Sequence, residues 1–190
     1  VVFEKAIGQF GRVRPEKGSD IFVQAMIDLL PDYPEFGAVL VGKVTSKFEK
    51  FSEQLQKKVR DAGLQDRIVW FGEVPFSEVP AMYNAMSIVV APSRYEGFGL
   101  TPIEAMASGA PVIAADTGAY RQMIDPGVTG AIFPVESDKL FKEYLNEFMG
   151  DPERLLDMGT ACQAKVQDEF SIEKEAAAIN EVYESIWGHA

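Results

Sequence analysis

The sequence is poor in the residues that build most metal, redox and nucleophilic sites. Among 190 residues there is one cysteine, Cys162, and one histidine, His189. A lone cysteine excludes an internal disulfide and every cysteine-cluster zinc site. A lone histidine, next to last in the chain, argues against a histidine-based triad or a multi-histidine metal site within it. Basic residues are also in deficit: 18 Lys plus Arg face 29 Asp plus Glu, a net charge of −11. Such a field repels polyanions, so nucleic acid is not an expected partner, although a local basic pocket is compatible with it. No apolar run approaches the roughly 18–20 residues that a bilayer span needs. The opening segment VVFEKAIGQFGRVRPEKG carries charges where a leader peptide would have its apolar core. The chain starts at Val1 rather than Met, as a processed chain or a segment of a longer protein would.

What is present is a regular alternation. Six short runs rich in Val, Ile and Phe read as strands: Ala6 to Phe10, Ala38 to Val41, Ile68 to Phe71, Ile88 to Ala91, Val112 to Ala115 and Ala131 to Phe133. They show little polar alternation, as expected of parallel strands covered on both faces. Helical patterns lie between them. Phe22, Met26, Leu29 and Leu30 share one helical face, with Ser19 placed to cap it. Phe48, Phe51, Leu55 and Val59 repeat the pattern. A shorter helix is expected over 77–86, and another between Pro102 and Gly109. Beyond Phe133 the pattern is helical throughout, in segments 137–149, 152–169 and 171–187. The alternation predicts one doubly wound, Rossmann-like α/β domain over 1–190. Its sheet would be six-stranded and mostly parallel, with a helical carboxyl-terminal extension over 137–190.

Two loops carry unusual chemistry. The first strand runs into GRVRPEKG, Gly11 to Gly18, where Arg12, Arg14 and Lys17 cluster in an acidic protein. The fourth runs into SRYEGFGLTPIEAMASG, Ser93 to Gly109. With a strand order of 3-2-1-4-5-6, strands one and four are neighbours at the switch point where open α/β sheets bind ligands. Both loops would then face one cleft. Gly97 and Gly99 precede a helix N-terminus that favours an anion, and Arg12 and Lys17 could neutralise that anion from the other side. A phosphate or diphosphate fits, yet neither a Walker A string nor GxGxxG occurs. Glu104 either complements the helix dipole or accepts hydrogen bonds from paired hydroxyls such as a ribose. Two carboxylates, Glu96 and Glu104, beside an anion site call for a hydroxyl-rich ligand. Phosphate, ribose and hexose together describe a nucleotide sugar.

These stretches, with GEVPFSEVPAMYNAMSIVVAPSRYEGFGLTPIEAMASGAPVIA and GVTGAIFP, resemble glycosyltransferase family 4, retaining enzymes of the GT-B fold. The resemblance runs from about Phe10 to Trp187 and matches the carboxyl-terminal, donor-binding domain only. Its closest flavour is that of bacterial lipopolysaccharide-core mannosyltransferases. It implies that Arg12 and Lys17, beside Gly11, bind and stabilise the leaving diphosphate. Glu104 would hold the ribose and Glu96 the hexose, so Arg12, Lys17 and Glu96 would sit at the reacting bond. Gly97, Phe98, Gly99, Leu100 and Thr101 would line sugar and phosphates, and Gly72, Glu73 and Val74 the base. After the second strand this sequence reads Val41-Gly42-Lys43-Val44, without the family's second nearby glycine. The resemblance also implies GDP-mannose as donor, a glycan or lipid-linked acceptor, and no metal or other cofactor. It further implies an acceptor domain absent from this chain, and a cytoplasmic location, peripheral at the inner membrane in the whole protein.

Other residues have plainer readings. Phe98 is either a core plug or part of the sugar site. Trp70, Phe71 and Tyr95 are expected to pack, Arg14 to face solvent, Cys162 to be buried, and His189 to lie in a frayed end. The apolar stripe Ile179, Val182, Tyr183 and Trp187 either covers this domain's core or, as in the family, meets a partner domain. Two competing functions stay open: a glycoside hydrolase using Glu96 and Glu104, which leaves the basic loop unexplained, and a non-catalytic nucleotide-binding module.

Overall fold

The computed structural model of the chain describes residues 3–188, and His189 lies outside them. The strands are β1 (Lys5–Phe10), β2 (Phe36–Val41), β3 (Ile68–Gly72), β4 (Ile88–Ala91), β5 (Val112–Ala115) and β6 (Gly130–Phe133). They form one sheet in the order β3-β2-β1-β4-β5-β6, with every strand pair parallel. The chain is thus doubly wound: it steps outward from β1 to β3, then returns to the centre and steps outward again on the other side.

Successive residues of each strand supply opposite faces. Ile7, Leu40, Ile88, Val90 and Ile113 face one core with α1 (Ser19–Leu29), α2 (Glu49–Asp61) and α6 (Asp138–Met149). Phe10, Val39, Val89, Val112 and Ala114 face the other, with α3 (Val79–Asn84), α4 (Thr101–Ala107) and α5 (Tyr120–Met123); α7 (Pro152–Glu169) serves both, Cys162 in this core and Leu155 and Met158 in the first. Burying an aromatic such as Phe22 or Phe141 contributes on the order of 1.5–3 kcal/mol, and Phe133 stacks on Phe141 with ring centroids 4.9 Å apart. Cys162 is buried as expected, and its thiol donates to the Thr129 carbonyl at 3.3 Å. Burial pushes that thiol up to about 12.

Three expectations about elements change. Ser19 does not cap α1 but is its first, buried residue. The cap is Gly18, in the left-handed region with φ of 68°, without a side-chain cap. A Cβ there would lie 2.0 Å from the Pro92 carbonyl oxygen, so only glycine lets the helix start this close to the strand β4 exit. The helix expected over 77–86 is shorter, because a 3₁₀ turn over Phe76–Glu78 leads into α3 and Pro80 falls in its first turn. The last helix, α8 (Ile172–Trp187), buries none of its residues, so its apolar stripe does not cover this domain's core. Among the described residues no helix is long and apolar enough to cross a membrane.

Candidate functional site

β1 and β4 lie side by side, Ile7 opposite Ile88 and Gln9 opposite Val90, so the loops that follow them leave the sheet together. The first loop is stitched in place. The Gly11 amide donates to the Val41 carbonyl at 2.9 Å, Val13 is buried, and Gln9 Nε2 donates to the Lys17 carbonyl at 2.7 Å. Arg94, from the second loop, holds it from the other side. Its amide donates to the Glu16 carbonyl at 2.9 Å and its Nη1 to the Pro15 carbonyl at 2.5 Å. The same guanidinium forks onto Asp20 at 2.8 and 2.9 Å and reaches Glu136 at 2.9 Å. Burial raises the Asp20 carboxyl, but the hydrogen bonds and charge of Arg94 together with the Asp20 and Ile21 amides outweigh it, and the net shift is downward. Hydrogen bonding to Asp20 in turn raises the Arg94 guanidinium. Glu136 has a φ of 62°, a strained backbone for a residue with a side chain, at the point where it meets Arg94.

Each motif carboxylate is tied to a buried tyrosine. Glu104 Oε2 accepts from the Tyr83 hydroxyl at 2.8 Å. Glu96 Oε2 accepts from the Tyr120 hydroxyl at 3.3 Å and also from Lys17 Nζ, in an ion pair whose side chains are each 17% exposed. Burial, then the charge of the adjacent carboxylate, pushes both tyrosine hydroxyls well above their ordinary range, so both act as donors. Gly99 makes this packing possible: a Cβ there would come within 2.6 Å of Glu96 Cγ and of the Tyr120 ring.

A cleft of about 580 Å³ opens beyond the carboxyl ends of β1, β2 and β3. Gly11 and Arg12 form one wall, Gly42, Lys43 and Thr45 another, Glu73, Val74 and Phe76 a third, and Tyr83, Thr101 and Glu104 the side facing β4. The segment after β2 therefore reaches the cleft despite its single glycine. Of the candidate residues, the cleft gathers Gly11, Arg12, Glu73, Val74, Thr101 and Glu104. Gly72, Lys17, Glu96, Gly97, Phe98, Gly99 and Leu100 do not line it. Lys17 and Glu96 stand beside it, the Lys17 stem running within 3.5 Å of where a Gly11 Cβ would be. A second cavity, about 520 Å³, lies at the other end of the sheet, where Lys5 and Ser87 enter β1 and β4, between α7 and the Ser108-Gly109 end of α4.

Several large apolar side chains at or just beyond the carboxyl ends of β3 and β4 are left open. Phe71, Tyr95, Phe98 and Leu100 are exposed, Tyr95 at 76%, and Phe76 at the cleft mouth is 89% exposed. Phe98 is thus no core plug. Phe71 and Tyr95 do not pack: β3 is an edge strand, Ile68 and Trp70 take its covered face, and Phe71 is left on the open one. Trp70 packs partly, as expected. Arg14 is half-buried rather than solvent-facing, its Nε enclosed without a partner. Tyr83, Tyr120 and Arg94 escaped the sequence reading. Arg94 stands between Ser93 and Tyr95 in a stretch already singled out, and its charge was the only available signal.

The sequence profile of the family described as glycosyl transferases group 1 matches residues 4–165. The lipopolysaccharide core biosynthesis mannosyltransferase LpcC of Rhizobium leguminosarum bv. viciae is 43% identical over 182 residues, 96% of this chain and 51% of that protein. The chain thus spans about half the length of the curated relatives it matches. The crystal structure of the C-terminal domain of a glycosyl transferase group 1 family protein, LpcC of Francisella tularensis, superposes with a TM-score of 0.85 at 33% identity. That match covers 90% of this chain and 88% of that one. Anabaena HepE in complex with UDP-glucose superposes with a TM-score of 0.83 at 25% identity, covering 95% of this chain and 48% of that one.

Proposed function

Because the chain belongs to the group 1 glycosyl transferases, we propose that it is the donor-binding half of a retaining hexosyltransferase. The donor we assign is GDP-mannose and the acceptor a lipopolysaccharide-core glycan. The observation that carries this reading is the pairing of β1 with β4. It brings the cationic loop of Arg12 and Lys17 against the loop of Glu96 and Glu104 at one cleft mouth. The UDP-glucose complex of HepE supports a nucleotide-sugar ligand, and the similarity to LpcC supports mannose as the sugar.

In this reading Glu104 accepts hydrogen bonds from the ribose hydroxyls, and Glu73 and Val74 meet the base. Arg12 and Lys17 face the diphosphate. Glu96, with the backbone of Gly97 to Thr101, takes the hexose hydroxyls. When the bond between the anomeric carbon and the phosphate oxygen breaks, its electron pair goes to the diphosphate and the sugar gains oxocarbenium character. Arg12 and Lys17 then stabilise more negative charge than in the ground state, which is what accelerates the step. No metal is assigned a part, since these cations supply the neutralisation. The acceptor is assigned to an amino-terminal half of the whole protein, which would work at the cytoplasmic face of the inner membrane.

A glycosidase reading is less well supported. Its two carboxylates must flank one bond, whereas Glu104 lines the cleft and Glu96 stands beside it, paired with Lys17. A thermal-shift panel of GDP-mannose, UDP-glucose, GDP, UDP, ADP and plain oligosaccharides tests the proposal. Nucleoside diphosphates and their sugars should raise the melting temperature, GDP-mannose most, and oligosaccharides should not. Stronger stabilisation by a UDP-sugar would overturn the base assignment. Stabilisation by oligosaccharides alone would favour the hydrolase.

A further inference from the structure

We propose that Tyr83 is a positioning residue for nucleotide recognition: it fixes one oxygen of Glu104 so that the other meets a vicinal diol in the cleft. The inference rests on the reading of that cleft as the nucleotide site, and it adds a residue on a different element.

Glu104 rises from α4 on a side chain with three rotatable bonds, and on its own it would sample many orientations at the cleft wall. Tyr83 removes that freedom. Its ring is only 2% exposed and stacks on Phe10 at 3.8 Å between centroids, so the hydroxyl has a fixed origin at the end of β1. From there it donates to Glu104 Oε2 at 2.8 Å, while Oε1 has no hydrogen-bond partner among the described residues. Tyr83, whose hydroxyl is held protonated, is the donor in this bond, and a carboxylate oxygen is its acceptor. An acceptor-only oxygen held in place at a cleft wall suits a ligand that offers two adjacent O–H donors. A buried tyrosine that merely needed an acceptor could take a backbone carbonyl. Here the acceptor is the carboxylate of a cleft-lining residue.

The experiment compares dissociation constants for GDP and 2′,3′-dideoxy-GDP, with the UDP pair in parallel so that the base does not decide the outcome. The proteins are the unmodified chain, Tyr83→Phe, Glu104→Gln and the double variant. The unmodified chain should prefer the ribonucleotide by about tenfold, the size of one charge-assisted hydrogen bond. Glu104→Gln should lose most of that preference. Tyr83→Phe, which keeps the stack on Phe10, should lower the preference about threefold or more and leave the dideoxy affinity unchanged. In the double variant, Tyr83→Phe should add nothing to Glu104→Gln, because both act through one carboxylate. No nucleotide binding by the unmodified chain would overturn the reading of the cleft. A full ribose preference in Tyr83→Phe alongside its loss in Glu104→Gln would overturn the role of Tyr83 alone. Equal losses for both ligands in Tyr83→Phe would show a structural part only and would also overturn it.

Discussion

The family resemblance implies that Lys17 and Glu96 contact opposite parts of a donor, the diphosphate and the hexose. In the folded chain they form one ion pair, and both side chains are largely enclosed. A diphosphate reaching Lys17 competes with Glu96 for the same ammonium and, in winning it, leaves Glu96 free for sugar hydroxyls. Arg12 has no such internal competitor among the described residues and stands exposed at the cleft wall. Lys17→Ala and Arg12→Ala should therefore each weaken GDP binding by about 1–3 kcal/mol and barely change guanosine binding. Isothermal titration of both ligands checks this. Equal losses for nucleoside and nucleoside diphosphate would mean that the substitutions damage the site as a whole. At this scale the sequence exposes basic charges that stand beside glycines, because basic residues are outnumbered in this acidic chain and glycines mark tight turns. It does not expose Tyr83, Tyr120 or Arg94. Their partners Glu104, Glu96 and Asp20 lie 21, 24 and 74 residues away, and no local period links them.

Among the elements, strands are the most legible, because burial on both faces forces runs such as Ile88 to Ala91 and Val112 to Ala115 to be apolar throughout. The strand order follows from two motif loops that need a common cleft. Misreadings occur where one face of an element is left open: Phe71 on the edge strand and the whole of α8. Its Ile179, Val182, Tyr183, Ile186 and Trp187 are all exposed, and Tyr183 stacks on Trp187 at 5.0 Å rather than on the core. Periodicity reports that a helix has an apolar face but cannot say whose surface covers it. An apolar helix face that this domain leaves open stabilises the isolated chain little. Replacing Val182 and Ile186 together by Gln should then shift the unfolding free energy of this chain by less than about 0.5 kcal/mol in urea titrations. A loss above about 1.5 kcal/mol would place α8 in this domain's own core.

As a whole molecule the chain should bind a nucleoside diphosphate and transfer no sugar. The ribose, diphosphate and hexose contacts we assign all come from loops of this one sheet, whereas we assign the positioning of the acceptor to an amino-terminal half. Lost positioning can remove roughly 7–11 kcal/mol of rate acceleration. Incubating the chain with GDP-mannose and a range of acceptors should give binding and at most slow donor hydrolysis. Robust transfer would show that acceptor positioning and catalysis reside in these 190 residues. The return of the chain from β3 to β4 also has a consequence for synthesis. β1 pairs with β2 on one side and with β4 on the other, so a nascent chain can complete β3-β2-β1 well before residues 88–91 emerge. At about 5–20 residues per second, β1 presents an unpaired backbone edge, a template for aggregation, for roughly one to three seconds. The strand that seals this edge is also the one that carries the second loop to the first. Under the proposed function, a nucleotide sugar would bind only chains in which β4 has joined β1, and would draw newly made protein away from its most vulnerable state.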